Sequence, residues 1–179
     1  MQVRDTAAAD LAAIQAIYAH HVATGLASFE EEPPPLEEMR RRFDDVRAHE
    51  LPYLTADYAG QVAGYGYCTL YRTRSAYRYA LEDSIYVRQD MVGRGIGRLL
   101  LAELIRRCEA LGYRQMIAVI GDSANEASIG VHAAAGFLRV GTLRSSGFKF
   151  GRWVDSVLMQ RPLGPGDGTP PKKGSEQIS

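Results

Sequence analysis

The sequence predicts an α+β fold, and three observations carry that prediction. Helical apolar spacing dominates the N-terminal part, hairpin-like strands fill the middle, and two strand–helix–strand steps come late. A doubly wound sheet would instead alternate strand and helix throughout.

The elements follow in order. Gln2 to Asp5 reads as a short first strand. A helix is expected from Ala8 to Ala23, because Leu11, Ile14, Ile17, Tyr18 and His21 recur at spacings of three and four; Thr24-Gly25 ends it. The stretch Ser28 to Pro35 closes on three consecutive prolines and is irregular. A second helix puts Leu36, Met39, Phe43 and Val46 on one side, with Arg40, Arg41 and Arg42 mostly on a solvated face. Tyr53–Ala56 and Val62–Leu70 flank a turn at Ala59-Gly60, and Gly64 and Gly66 point to a bulge or close packing. Leu81 to Val87 is a strand in which Glu82, Ser84 and Tyr86 share one face and Leu81, Asp83, Ile85 and Val87 the other. After a glycine-rich turn comes a helix whose buried side carries Leu100, Leu104, Cys108 and Leu111, capped by Gly112. Gln115–Ile120 is a buried strand, Asn125–Ala135 a short helix closed by Gly136. Strands at Leu138–Leu143 and Val154–Gln160 flank a loop with Gly147 and Gly151. Residues 1–161 form the expected domain; the Gly/Pro/Ser/Lys-rich residues 162–179 read as a disordered tail.

Bulk properties narrow the function. The 179 residues carry 21 Lys plus Arg and 21 Asp plus Glu, so the basic excess needed to grip a nucleic-acid backbone is missing. No apolar run approaches membrane-spanning length and no signal-peptide pattern opens the chain, so a cytoplasmic protein without a membrane partner is expected. Cys68 and Cys108 sit in apolar surroundings without neighbouring ligands at metal-binding spacing; they read as reduced core thiols, and no metal is expected.

The informative stretch is Val92-Gly93-Arg94-Gly95-Ile96-Gly97-Arg98, which follows a strand and starts a helix. Unpaired N–H groups at a helix N-terminus bind phosphate, and glycines let the backbone approach it. A tight strand–helix turn without ligand has the same local pattern. The Walker pattern fails because no Gly-Lys-Ser/Thr follows, and the dinucleotide fingerprint fails on its third glycine and its missing acidic residue.

Gly-Arg-Gly-Ile-Gly after a strand resembles the acetyl-CoA loop of the GNAT acetyltransferases, with Val92 where Gln is common. Glu82-Asp83-Ser84-Ile85-Tyr86-Val87 resembles the preceding strand of the phosphinothricin and methionine sulfoximine acetyltransferase subfamily. Asn125-Glu126-Ala127-Ser128, then His132 and Gly136-Phe137, resembles its second cofactor motif. The run Gly147 to Asp155 resembles its C-terminal signature, and Ser28-Phe29-Glu30 its substrate-side loop. The resemblance implies a mixed, mostly antiparallel twisted sheet flanked by helices, acetyl-CoA as co-substrate and a homodimer. It implies that Ile85, Tyr86 and Val87 pair with the pantetheine arm, that Gly93, Arg94, Gly95, Ile96, Gly97 and Arg98 hold the pyrophosphate, and that Asn125 and Ser128 contact the cofactor. Asn125 also has an ordinary role as a helix N-cap.

Acetyl transfer to an amine needs a base, an oxyanion donor and a proton for the departing thiolate. Glu82 is the candidate base, because it precedes the cofactor-pairing segment and burial raises a carboxyl pKa. A backbone N–H near Ile85 or Tyr86 is the expected oxyanion donor. His132 is the candidate acid, against the plainer reading of a packed helix histidine. Arg72 and Arg74 are candidate carboxylate anchors, or solvated loop residues. Phe29, Glu30, Lys149 and Trp153 complete the expected pocket or meet a partner subunit. The resulting expectation is direct N-acetylation of a small amino-acid-like substrate of the phosphinothricin, methionine sulfoximine or methionine sulfone type. Two other readings stand beside it: a protein N-terminal acetyltransferase and a non-catalytic acetyl-CoA-binding regulatory domain.

Overall fold

Alternating side chains around a turn with two positive φ angles, Ala59 and Gly60, build the central hairpin of β2 (Tyr53–Tyr58) and β3 (Gln61–Leu70). The computed structural model describes residues 1–171. Around that hairpin, β1 (Gln2–Asp5), β4 (Ala80–Val87), β5 (Gln115–Gly121), β6 (Leu138–Lys149) and β7 (Arg152–Pro162) complete a seven-stranded sheet of order β1-β2-β3-β4-β5-β7-β6. Neighbours are antiparallel except β4 and β5.

Strand alternation sends two helix pairs to opposite faces. Tyr53, Tyr65, Tyr67 and Tyr86 stack on the face covered by α1 (Leu11–Thr24) and α2 (Leu36–Ala48), where Tyr18 meets Tyr86 at 5.0 Å and Phe43 meets Tyr53 at 5.1 Å. Gly64, Gly66 and Cys68 face α3 (Ile96–Ala110), with α4 (Glu126–Ala134) beside it. The two glycines serve close packing: a Cβ would stand 3.0 Å from Ile96 at Gly64 and 3.2 Å from Leu104 at Gly66. The irregularity of this hairpin lies instead at Ala56/Asp57.

Several sequence-based details change. The first helix opens with a 3-10 turn, Ala8–Asp10, where Asp10 accepts the Ala7 N–H at 2.8 Å. Leu36 and Leu111 are exposed, because each lies at a helix end beyond the packed turns, whereas Leu101 and Ile105 join Leu100, Leu104 and Cys108 inside. Arg42 leaves the solvated arginine face to bond Glu30 at 2.7 Å and Glu38 at 2.8 Å. The loop expected around Gly147 is strand: β6 and β7 form one long hairpin turning at Phe150-Gly151, with register shifts at Arg139/Gly141 and Leu143/Gly147. The boundary at residue 161 moves outward. Leu163 is buried, and Arg114 donates to the carbonyls of Gly166, Thr169 and Pro170. The disorder expected for residues 172–179 lies outside the described residues.

Cys68 and Cys108 are buried free thiols with their sulfurs 3.6 Å apart in the core between β3 and α3. Burial is the main cause that pushes the Cys68 thiol far up, so it stays protonated and inert.

The segment between α1 and α2 crosses the end of β5 so closely that a Cβ on Gly121 would collide with the carbonyls of Leu26 and Ala27. Backbone cannot yield as a flexible side chain does. Gly121→Ala should therefore destabilise the fold by about 1–3 kcal/mol, read by urea unfolding.

Candidate active site

β4 and β5 pair only from Ala80↔Gln115 to Asp83↔Ala118, although both strands continue. Beyond Asp83 they part, and β4 gains a free edge inside the sheet. Which residues use it follows from the β3–β4 ladder. Tyr71 N–H donates to Ala80 O and Arg88 N–H to Ala63 O, so even-numbered β4 residues bond to β3. Ile85 and Val87 thus turn their N–H and C=O into the fork. Tyr86 does not, which corrects its expected backbone role: its amide bonds to β3, and its ring packs on Tyr65 and Tyr18. The Val87 carbonyl also accepts an N–H from His21 Nε2 at 2.8 Å.

α3 starts at the mouth of this fork. Gly93 and Gly95 have φ of +80° and +78°, a conformation costly for other residues, and Gly95 caps the helix without a side chain. The first-turn N–H groups are left for a ligand. Gly97 brings α3 within van der Waals reach of Ile85, Val87 and Val131. Arg94 and Arg98 are exposed beside the turn, and Ile96 is a buried core anchor, so only its amide is available. An extended arm with amide groups fits the fork edge, and a diphosphate fits the turn.

Glu82 and His132 flank the fork's apex from opposite faces of β4. Glu82 lies on the tyrosine face, opposite Thr69. Burial, then the neighbouring Asp83 charge, push its carboxyl pKa up, and Arg72 partly offsets them. Arg72 stacks on Tyr71 at 5.0 Å; Arg74 is exposed at the start of the 3-10 turn Ser75–Tyr77.

On the other face, His132 Nε2 lies 3.0 Å from Asp83 Oδ2, and Nδ1 donates to Ser128 O at 2.8 Å. Both side chains are buried. Burial lowers the imidazole pKa, but the Asp83 hydrogen bond and charge outweigh it, and the net shift is upward. Asp83 Oδ1 is buried and finds no hydrogen-bond donor among the described residues. Asp83 is therefore a site residue that sequence reasoning set aside: alternation placed it away from Glu82, but nothing local linked it to a histidine 49 residues on.

Asn125 takes the N-cap role, its Oδ1 accepting Ser128 N–H at 3.2 Å. Ser128 itself is tied to the site through its carbonyl. Glu30 accepts from Tyr18 Oη at 2.8 Å and from Arg42, so its charge is already matched. Tyr18 and Arg42 had no sequence signal for this, since both look like ordinary helix residues. Phe29 lies over Gly147, where a Cβ would meet its ring at 2.5 Å. Trp153 is exposed on the β6–β7 hairpin, edge-on to Phe148 at 5.2 Å. Lys149 is buried and spends all three ammonium protons on backbone carbonyls, which corrects its expected substrate contact. Among the described residues, no group of three or more His, Cys, Asp or Glu is gathered for a metal ion, and no helix is long and apolar enough to cross a membrane.

A parallel strand pair that splays beside a glycine-started helix, with a half-buried carboxylate at its apex, suits an acyltransferase that holds an acetyl-CoA arm along the free edge. Residues 3–158 match the family described as "Acetyltransferase (GNAT) domain". The chain is 60% identical over 163 residues to phosphinothricin N-acetyltransferase of Alcaligenes faecalis, covering 91% of this chain and 83% of that protein. It is 40% identical over 169 residues to the L-methionine sulfoximine/L-methionine sulfone acetyltransferase of Pseudomonas aeruginosa, covering 94% and 98%. The crystal structure of a GNAT superfamily phosphinothricin acetyltransferase from Sinorhizobium meliloti, in complex with acetyl-CoA, superposes with a TM-score of 0.94 at 48% identity, covering 98% of this chain and 95% of that one. The chain belongs to the GNAT acetyltransferases; it is an N-acetyltransferase that uses acetyl-CoA.

The raised pKa of His132 means that the folded protein holds this proton more tightly than the unfolded chain. The resulting stabilisation is full below the unfolded value of about 6.5 and is lost as pH rises through the higher folded value. Asp83→Asn should flatten this pH dependence, as measured by urea unfolding across that range.

Proposed function

We propose that the enzyme acetylates the α-amino group of a small amino acid of the phosphinothricin, methionine sulfoximine or methionine sulfone type, with Glu82 as general base. The single observation that carries the base assignment is a half-buried carboxylate of raised pKa at the apex of the cofactor fork. The close similarity to enzymes named for these substrates supports the substrate class. Arg72, near enough to act on Glu82, suits the substrate carboxylate, with Arg74 at the rim.

The transfer is direct. The amine lone pair attacks the thioester carbonyl, the C–N bond forms, the C–S bond breaks, and Glu82 takes the amine proton. Ile85 N–H, turned into the fork, is the oxyanion donor in this reading. His132 enters as the proton holder paired with Asp83, beside the point where the thiolate departs and takes up a proton. No side chain carries the acetyl group; Cys68, the nearest thiol in sequence, is buried and protonated. Buried reduced thiols also support a cytoplasmic location.

We further propose a homodimer through the outer β6–β7 hairpin, where Leu138, Val140, Leu143, Phe148 and Trp153 are exposed at an open sheet edge.

Three experiments test these readings. Purified protein with acetyl-CoA, a thiol reagent and a panel of free amino acids and peptides should turn over the amino acids. Turnover of peptides alone would overturn the substrate class. In Glu82→Gln, kcat should fall by roughly 10²–10⁴-fold with KM for acetyl-CoA little changed. In the parent enzyme, kcat/KM should climb as pH rises through the elevated Glu82 value, and the variant should lack that limb. For assembly, sedimentation should give a dimer, and Trp153→Glu combined with Phe148→Glu should give monomers.

A further inference from the structure

Lys149 stands out as a buried cation with no carboxylate in contact among the described residues. It ends β6, and its ammonium donates to Val22 O at 2.7 Å, Gly25 O at 2.9 Å and Ser28 O at 2.8 Å. Three protons meet three acceptors, so nothing remains for a substrate. Burial is the main cause that lowers its pKa, with Glu31 and Glu30 opposing at a distance. Two of the carbonyls belong to the C-terminal end of α1, where the helix dipole favours a cation. The third lies beyond the helix, in the segment that carries Phe29 and Glu30.

That segment is pinned at several further points. Ser28 is buried, and its Oγ accepts Glu30 N–H at 3.2 Å and lies 3.0 Å from Tyr18 Oη. The Leu26 and Ala27 carbonyls press on Gly121 and the Phe29 ring on Gly147. Glu30 meets Tyr18 and Arg42, which face the same side of the sheet as Glu82. The segment thus joins the end of α1, the end of β5 and the β6–β7 hairpin at one place, and Lys149 is the only charged group binding its backbone from below among the described residues.

We propose that Lys149 is a positioning residue of the amine site. Its ammonium fixes the carbonyls of residues 22, 25 and 28, which sets Phe29 and Glu30 as the wall opposite Glu82 without touching substrate. The proposal rests on the reading that the amine binds on the Glu82 face. It also predicts coupling: a shift of the hairpin that carries Phe148 and Trp153 is passed through Lys149 to the pocket wall.

The test is steady-state kinetics on Lys149→Met, with methionine sulfone as the amine, beside hydrogen exchange of the intact protein. KM for the amine should rise on the order of tenfold, as expected for the loss of buried hydrogen bonds, while KM for acetyl-CoA stays within about twofold. Exchange should quicken at residues 25–30 and remain unchanged in β4 and at residues 93–98. Gly147→Ala pushes the Phe29 ring away with Lys149 intact and should reproduce the amine KM rise; an unchanged amine KM there overturns the proposal even if Lys149→Met does not fold. An unchanged amine KM in the folded variant, or an equal loss for both substrates, would overturn the proposal. Glu82→Gln measured alongside separates the two ideas: full turnover in that variant sinks the amine-site reading, whereas a dead Glu82→Gln with an unaffected Lys149→Met sinks only the positioning role.

Discussion

The site depends on the short parallel pairing of β4 and β5. Four residue pairs hold the strands together, and past Asp83 they separate. Inside a sheet, a free strand edge leaves amide groups without partners, and such groups demand a ligand or solvent. Here the ladder to β3 dictates that Ile85 and Val87 are the ones exposed. The same alternation sends Glu82 to one face and Asp83 to the other. One strand thereby supplies the free edge, the proposed base and the anchor of a histidine, and a one-residue slip of its register would exchange all three.

Around this strand stand three ionisable side chains with partners, His132 and Lys149 buried and Glu30 partly exposed. Each instance is matched by different means. His132 has a carboxylate and a carbonyl, Lys149 three carbonyls, and Glu30 a phenol and a guanidinium. Buried ion pairs add little net stability, because desolvation offsets the attraction, yet removing one partner is costly. Their placement is consistent with geometry as the benefit: each ties together elements that are distant in sequence.

The two faces are also built differently. The α3–α4 side is dominated by aliphatic side chains and the thiol pair. The α1–α2 side carries the tyrosine stack, whose buried phenols are held protonated by desolvation. Tyrosines offer apolar area with a polar tip, which suits a wall that packs against helices and, in the proposed reading, faces an amino acid. The exposed apolar residues of β6 lie at the far end of the sheet from β1, so the open edge there is available to a second copy.

The sequence by itself determined what neighbours in the chain decide. Helix periodicities, the Ala59-Gly60 turn and the strand–glycine–helix step at residues 85–98 were all legible, because their physics is confined to a few consecutive residues. The alternation of β4 was legible too, so Glu82 and Asp83 were assigned to opposite faces correctly. Partners distant in sequence were not. Arg42 looked like part of a solvated run, Lys149 like a pocket or interface residue and His132 like a candidate acid or a packed helix histidine, since nothing local reveals that Glu30, the end of α1 or Asp83 lies opposite. The long β6–β7 hairpin was cut short for the same reason: Gly147 reads as a loop residue until Phe29 is seen packed on it. Only the tertiary structure decided where β4 and β5 part and which carbonyls close around Lys149, because both depend on register and packing between segments that the chain brings together only on folding.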